Sequence, residues 1–222
     1  MFVASLLWFL YCYTVRFDAS RGTPPVLLAA TSDVLAFSLF AAHHSAFARP
    51  RLKQWVARVA PPELERSLYT WISSVLFILV CSWWVRLPGV LYMLTGGWAA
   101  TAYMVQAAAI GLTIRSSAAL GVLDLAGVTP LRRARSGDAA AHVPLATRGV
   151  YGFVRHPLYF SWALFVFAAP EMTATRALFA VVSTAYLALA IPWEERALIH
   201  TFGDEYDAYR RRVKWRMIPG VY

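Results

Sequence analysis

Long stretches of this chain carry no charge. Leu87–Ile114 runs for 28 residues and Ser67–Val85 for 19, while Val26–Phe47 gives 22 interrupted only by Asp33, His43 and His44. Ala177–Trp193 adds 17, Met1–Val15 adds 15 and Leu158–Pro170 adds 13. A straight bilayer span takes about 20 apolar residues, and lipid cannot satisfy open backbone groups, so each run is expected to be helix. The pattern predicts an all-α, polytopic integral membrane protein with five to six transmembrane helices. Met1–Val15 is marginal in length. No basic leader precedes it and no small-x-small cleavage site follows, so it is expected as a tilted or partial first span rather than a signal peptide. Pro170-Glu171-Met172-Thr173 separates the last two runs and makes them a helical hairpin, with Thr173 or Thr175 expected to cap its second arm. The first arm, Leu158–Pro170, is only about 20 Å long at 1.5 Å per residue.

The polar intervals differ in character. Arg49–Arg66 contains Pro50, Pro61 and Pro62 around Arg51–Val59. There Leu52, Trp55, Val56 and Val59 have helical spacing and predict an interfacial helix lying on headgroups. Segment 116–150 holds Gly121, Gly127, Pro130, Gly137, Pro144 and Gly149. It is expected to be a long connection between spans, and long loops without structure of their own are usually functional or disordered. After Glu195, Asp204 is expected to cap a short helix reaching Arg212, with Tyr206 and Tyr209 on one face. No internal repeat is visible. A single domain is expected, 1–114 supplying the N-terminal spans and 115–222 the region that carries the site.

Composition agrees with a bilayer environment. The chain is 59% hydrophobic and 15% charged, against about 25% charged in soluble domains. Its net charge is +9. Basic residues favour the cytoplasmic side of membrane proteins, and segments 49–66, 115–157 and 196–222 hold 17 Lys/Arg against 4 in 16–25, 86–89 and 171–176. This predicts a cytoplasmic C-terminus and a partner in lipid headgroups, not nucleic acid. Cys12 and Cys81 lie in separate apolar runs and are expected to be packing residues rather than a disulfide or metal pair.

The candidate chemistry sits where the hairpin opens and closes. Arg155-His156-Pro157-Leu158-Tyr159 stands at the mouth of the hairpin, and Glu194-Glu195 is expected to end the long apolar helix of its second arm. A helical hairpin returns the chain to the surface it left, so the two motifs share one mouth. Taken singly each has a plain reading. One carboxylate is solvated and the other paired with Arg155 or Arg196, His156 is a turn or cap residue, and Tyr151 and Tyr159 are interfacial aromatics. Together they make a site able to grip a small zwitterion. Intramembrane Asp33 is either functional or held by a partner such as Arg86 or a Ser/Thr. His43 and His44 project about 100° apart on a helix and cannot both face one site. Tyr222 is expected to be inert. Two non-enzyme readings remain at this point: a haem carrier using His44 and His156, and a small transporter suggested by Asp33 and the Gly96-Gly97 break.

The sequence also resembles a family. His156-Pro157-x-Tyr159, preceded by Gly149-x-Tyr151 and followed by Glu194-Glu195 and Phe202-Gly203-x-x-Tyr206-x-x-Tyr209, is similar to the membrane-embedded isoprenylcysteine carboxyl methyltransferase family over residues 142–219. The resemblance implies S-adenosyl-L-methionine as cofactor, S-adenosyl-L-homocysteine as product, and a cytoplasmic cofactor pocket. It implies that Val143, Pro144, Leu145, Ala146, Tyr151, Arg155, His156, Pro157, Leu158, Tyr159 and Glu194 bind the cofactor, with Glu195 and Tyr209 among the catalytic groups. In the carboxyl methyltransferases a basic residue stands four places before the cofactor-binding glutamate, whereas this chain has Ala190. That points away from a prenylcysteine carboxylate and towards the bacterial branch that contains methanethiol S-methyltransferase. His43-His44-Ser45-Ala46-Phe47-Ala48-Arg49-Pro50, Glu65-Arg66-Ser67-Leu68-Tyr69 and the hairpin tip resemble the same branch. The implied reaction is S-methylation of a small thiol at a bacterial inner membrane, with His44 as the candidate base; carboxyl, lipid or natural-product methylation is the alternative, acting on a small or lipophilic substrate.

Overall fold

The computed structural model describes residues 1–17, 19, 24–47, 49, 52, 58, 61–125, 128–129 and 144–222. Its elements in chain order are α1 (Phe2–Tyr11), a π turn (Cys12–Arg16), α2 (Val26–Phe47), α3 (Pro62–Trp83), β1 (Val90–Met93), α4 (Gly96–Leu120), α5 (Val122–Leu125), a 3-10 turn (Gly149–Gly152), α6 (Pro157–Phe167), β2 (Glu171–Thr173), α7 (Ala174–Phe202) and α8 (Asp204–Arg212). Among the described residues four helices are long and apolar enough to cross a membrane: α2, α3 from Leu64, α4 and α7. Phe2–Arg16 and Pro157–Phe167 are apolar but shorter. Large apolar side chains cover the outer surfaces, among them Leu27, Trp83 and Trp98, each more than 70% exposed. Water would make such a surface aggregate, whereas lipid is its natural solvent.

The chain forms two compact units. The first takes Met1–Val90, Gly121–Ala141 and Thr173–Leu178. Its interior is aromatic: Phe9 meets Tyr13 and Phe77, and Phe17 stacks on Trp84. Polar bonds close the helix ends. The buried Arg176 guanidinium donates to Tyr13 O at 3.0 Å and Thr14 O at 3.2 Å, satisfying carbonyls of the π turn. Asp33 is 1% exposed, and its Oδ1 accepts the Val85 N–H at 2.9 Å, just past the end of α3. A backbone amide, not Arg86 or a hydroxyl, is therefore its partner, while Oδ2 is buried without a hydrogen bond. Cys12 and Cys81 are both buried, as their apolar setting predicts.

The second unit takes Leu91–Leu120, His142–Met172 and Phe179–Tyr222. α6 packs along α4, joined by Thr113 Oγ1 and Ser161 Oγ at 2.8 Å. α6 has only 11 residues, and the last carbonyls of a helix have no partner within it. Here side chains supply partners: buried Gln106 Nε2 donates to Phe165 O at 3.1 Å, and the exposed Tyr92 hydroxyl to Phe167 O at 3.1 Å.

Several expectations need correction. Leu87–Ile114 is not one helix. Gly89 (φ +107°) and Gly96 (φ +55°) interrupt it, and Val90–Met93 is a strand paired with β2. Hydropathy hides this, because Val, Leu, Tyr and Met serve a strand as well as a span. The pairing is antiparallel, since Ala174 N–H reaches Gly89 O at 2.9 Å and Leu94 N–H reaches Pro170 O at 2.8 Å. Helix α4 continues to Leu120, into the segment expected to be irregular, and α5 follows it. Glu194-Glu195 do not end a helix, because α7 runs through Pro192 to Phe202. Asp204 is the first residue of α8 rather than its cap; Gly203, at φ +51°, takes that place. Thr173 does cap α7, accepting the Arg176 N–H at 3.2 Å. The interfacial helix expected at Arg51–Val59 lies outside the described residues except at 52 and 58.

Candidate functional site

The segment entering α6 is held in place by residues 213–216. Arg155 N–H donates to Trp215 O at 2.9 Å and His156 N–H to Arg216 O at 2.7 Å. The Arg155 side chain adds bonds from Nη1 to Val213 O at 2.7 Å and Lys214 O at 2.9 Å. Pro157 then starts the helix at its first position, where a missing N–H costs nothing.

Opposite this segment α7 presents two adjacent carboxylates that meet different fates. Glu195 is buried between two guanidinium groups and the His156 ring. Arg155 Nε lies 2.6 Å from its Oε1, His156 Nε2 3.5 Å from the same oxygen, and Arg216 Nε 3.3 Å from Oε2. The imidazole contact is a near approach only. At 3.5 Å it is too long for a sound hydrogen bond, and His156 Nε2 is buried without one. Glu194, by contrast, has a side chain 44% exposed. It accepts a bond from the Tyr159 hydroxyl and lies 3.6 Å from His156 Nδ1. The His156 and Tyr159 rings stack at 5.4 Å. One carboxylate is thus consumed by internal cations, while its neighbour stays open beside two flat rings.

A tyrosine cluster supports the pair. Tyr151, Tyr206, Tyr209 and Val213 pack together, with Leu145 and Ala146 against them. The Tyr209 hydroxyl donates to Tyr151 O at 2.7 Å and fixes the 3-10 turn. Burial pushes the Tyr209 phenol up to about 12, against an opposing pull from Arg155 and Arg212. Burial likewise raises Tyr151 and Tyr206 well above the ordinary phenol range. The Tyr206 hydroxyl is enclosed without a hydrogen bond.

The expected residues fall into place unevenly. Arg155, His156, Tyr159, Glu194 and Glu195 meet directly. Pro157 and Leu158 begin α6 beneath them. Leu145, Ala146, Tyr151 and Tyr209 form the adjoining cluster, Pro144 is exposed at its edge, and Val143 lies outside the described residues. His44 belongs to the first unit, where both its ring nitrogens lie about 3 Å from the Tyr69 hydroxyl. Arg216 was missed, since nothing in the sequence separates it from the four neighbouring cations at 210–214. Tyr222, expected to be inert, is in contact with this set: Arg216 Nη1 donates to its hydroxyl at 3.2 Å and the guanidinium carbon lies 5.1 Å from its ring. A cavity of about 380 Å³ lies in the first unit beside Arg16, Trp84 and Arg86. Size alone does not identify chemistry, and the open carboxylate with its paired rings is the stronger indication.

A methanethiol S-methyltransferase of Bradyrhizobium diazoefficiens (number 2) is 34% identical over 217 residues, covering 97% of this chain and 83% of the relative. The chain belongs to the methanethiol S-methyltransferase family. A second family member from the same organism, number 1, is 36% identical over 188 residues, 84% of this chain and 66% of its own length. The family has distant kin in the protein-S-isoprenylcysteine O-methyltransferase of Schizosaccharomyces pombe, 38% identical over 72 residues, which are 31% of this chain and 30% of that one. No family model matches the chain. No solved structure matches it either. As a member of this family the protein is a methyltransferase, and its four long apolar helices make it an integral membrane protein.

Proposed function

We propose that the protein methylates the sulfur of a small thiol, methanethiol, using S-adenosyl-L-methionine and releasing S-adenosyl-L-homocysteine. The observation that carries the cofactor reading is the contrast between Glu194 and Glu195. A site with both carboxylates consumed would have nothing to offer an ammonium group; Glu194 remains open, with Tyr159 and His156 fixing its direction. When bound, S-adenosyl-L-methionine supplies an electrophilic methyl group on a sulfonium. Glu194 would take the amino group through a charge-assisted bond, and the His156 and Tyr159 rings would face the positive sulfur. Arg155, Glu195 and Arg216 orient this set from behind, and Tyr151 and Tyr209 brace the turn that leads to it. Methyl transfer depends on alignment more than on acid–base groups, so a rigid surround is its main requirement. A thiol reacts as its thiolate, so the reaction also needs a group that accepts its proton. The distribution of Lys and Arg supports a site on the cytoplasmic side.

Carboxyl methylation is the second reading, favoured by the distant isoprenylcysteine relatives. Ala190, with no charge to meet a substrate carboxylate, weighs against it. Cells expressing the chain and given methanethiol should release dimethyl sulfide into the headspace. Membranes that bind adenosylhomocysteine yet yield none would reject the thiol acceptor.

A further inference from the structure

Pro192 lies inside α7. A proline has no N–H for the carbonyl four residues earlier, which here belongs to Ala188. The Tyr222 hydroxyl donates to Ala188 O at 3.3 Å. The same hydroxyl accepts from Arg216 Nη1 at 3.2 Å, and the Arg216 guanidinium covers the Tyr222 ring. Arg216 Nε then reaches Glu195 Oε2 at 3.3 Å, while the Arg216 carbonyl takes the His156 N–H at 2.7 Å. Tyr222 O accepts the N–H groups of Met217 at 2.8 Å and Ile218 at 3.0 Å, closing the turn that follows.

These bonds form one line within the second unit, from a carbonyl of α7 through Tyr222 and Arg216 to Glu195 and the backbone of His156. A guanidinium is a rigid plane, so fixing Nη1 also fixes the direction of Nε. The Arg216 side chain is 37% exposed. Without the phenol it would exchange its contacts for water. The geometry points to Tyr222 as a positioning residue: through Arg216 it sets the pose of Glu195 and of the His156 backbone beside the proposed cofactor carboxylate. The inference rests on the cofactor reading given above, but its first test does not need the cofactor.

That test uses the full chain in detergent with Tyr222→Phe, which keeps the ring and removes only the hydroxyl. In ligand-free protein the amides of Arg155 and His156 should exchange with deuterium about three- to tenfold faster, while those of α4 are unchanged, because local opening follows local bonding. Calorimetry with S-adenosylhomocysteine then compares wild type, Tyr222→Phe, Arg216→Lys and the double variant. Tyr222→Phe should raise Kd about three- to tenfold, the effect of losing one modest hydrogen bond. If Tyr222 acts through Arg216, the double variant binds no more weakly than Arg216→Lys alone, because coupled residues are not additive. Fully additive losses, or unchanged exchange at 155–156, overturn the proposal. Should wild type bind no adenosylhomocysteine while Tyr222→Phe still loosens 155–156, the cofactor reading falls, and with it the functional part of this one.

Discussion

At the scale of single residues, two neighbouring carboxylates divide the work. Glu194→Gln should keep the fold and weaken adenosylhomocysteine binding by about 1–3 kcal/mol, the loss expected for a charge-assisted bond; calorimetry measures it. Glu195→Gln should act on stability instead. It leaves the buried Arg155 guanidinium without its counter-charge, a change that costs about 3–5 kcal/mol and that a thermal melt would register. Tyr209 gives a pH signature. Its phenol is held protonated up to about 12 from an ordinary value of 10. The folded state therefore favours the neutral form. Its contribution is complete below pH 10 and is lost as pH rises through 12. Melting temperature should be flat to about pH 10 and then fall, with a shallower fall in Tyr209→Phe. The sequence marked both glutamates, because a carboxylate pair is conspicuous in an apolar run. It could not say which would be sealed, since that depends on cations at 155 and 216, the latter 21 positions away along the chain.

Among the elements, charge-free length located the spans well. Val26–Phe47 is helical from end to end, as the apolar run, broken only by Asp33, His43 and His44, predicts. Boundaries were less legible where strand and span use the same residues. The Leu87–Ile114 run conceals β1, and only Pro88-Gly89 and Thr95-Gly96-Gly97 hint at the interruption. α7 overran its expected end because Glu194-Glu195 read as a terminus, whereas Arg155 and Arg216 let the helix carry them onward. The short α6 depends on borrowed donors. Gln106→Leu strips the Phe165 carbonyl of a buried partner and should cost about 1–3 kcal/mol, measurable as a lower unfolding midpoint in detergent.

For the whole molecule, the proposed orientation is a prediction about cells. A protease-sensitive tag joined after Tyr222 should survive external protease in intact spheroplasts and be cut in inverted vesicles. Cleavage in intact spheroplasts would reverse the topology and place the site outside. The asymmetry of 17 against 4 basic residues is the whole basis for this orientation, since charge decides which loops stay inside while packing does not.

The strip at 213–216 that grips Arg155 and His156 has a consequence for biosynthesis. It follows every described helix in translation order, so a ribosome that has delivered those helices has still not made the carbonyls on which Arg155 hangs. A chain stopped after Arg212 should insert normally yet remain inert.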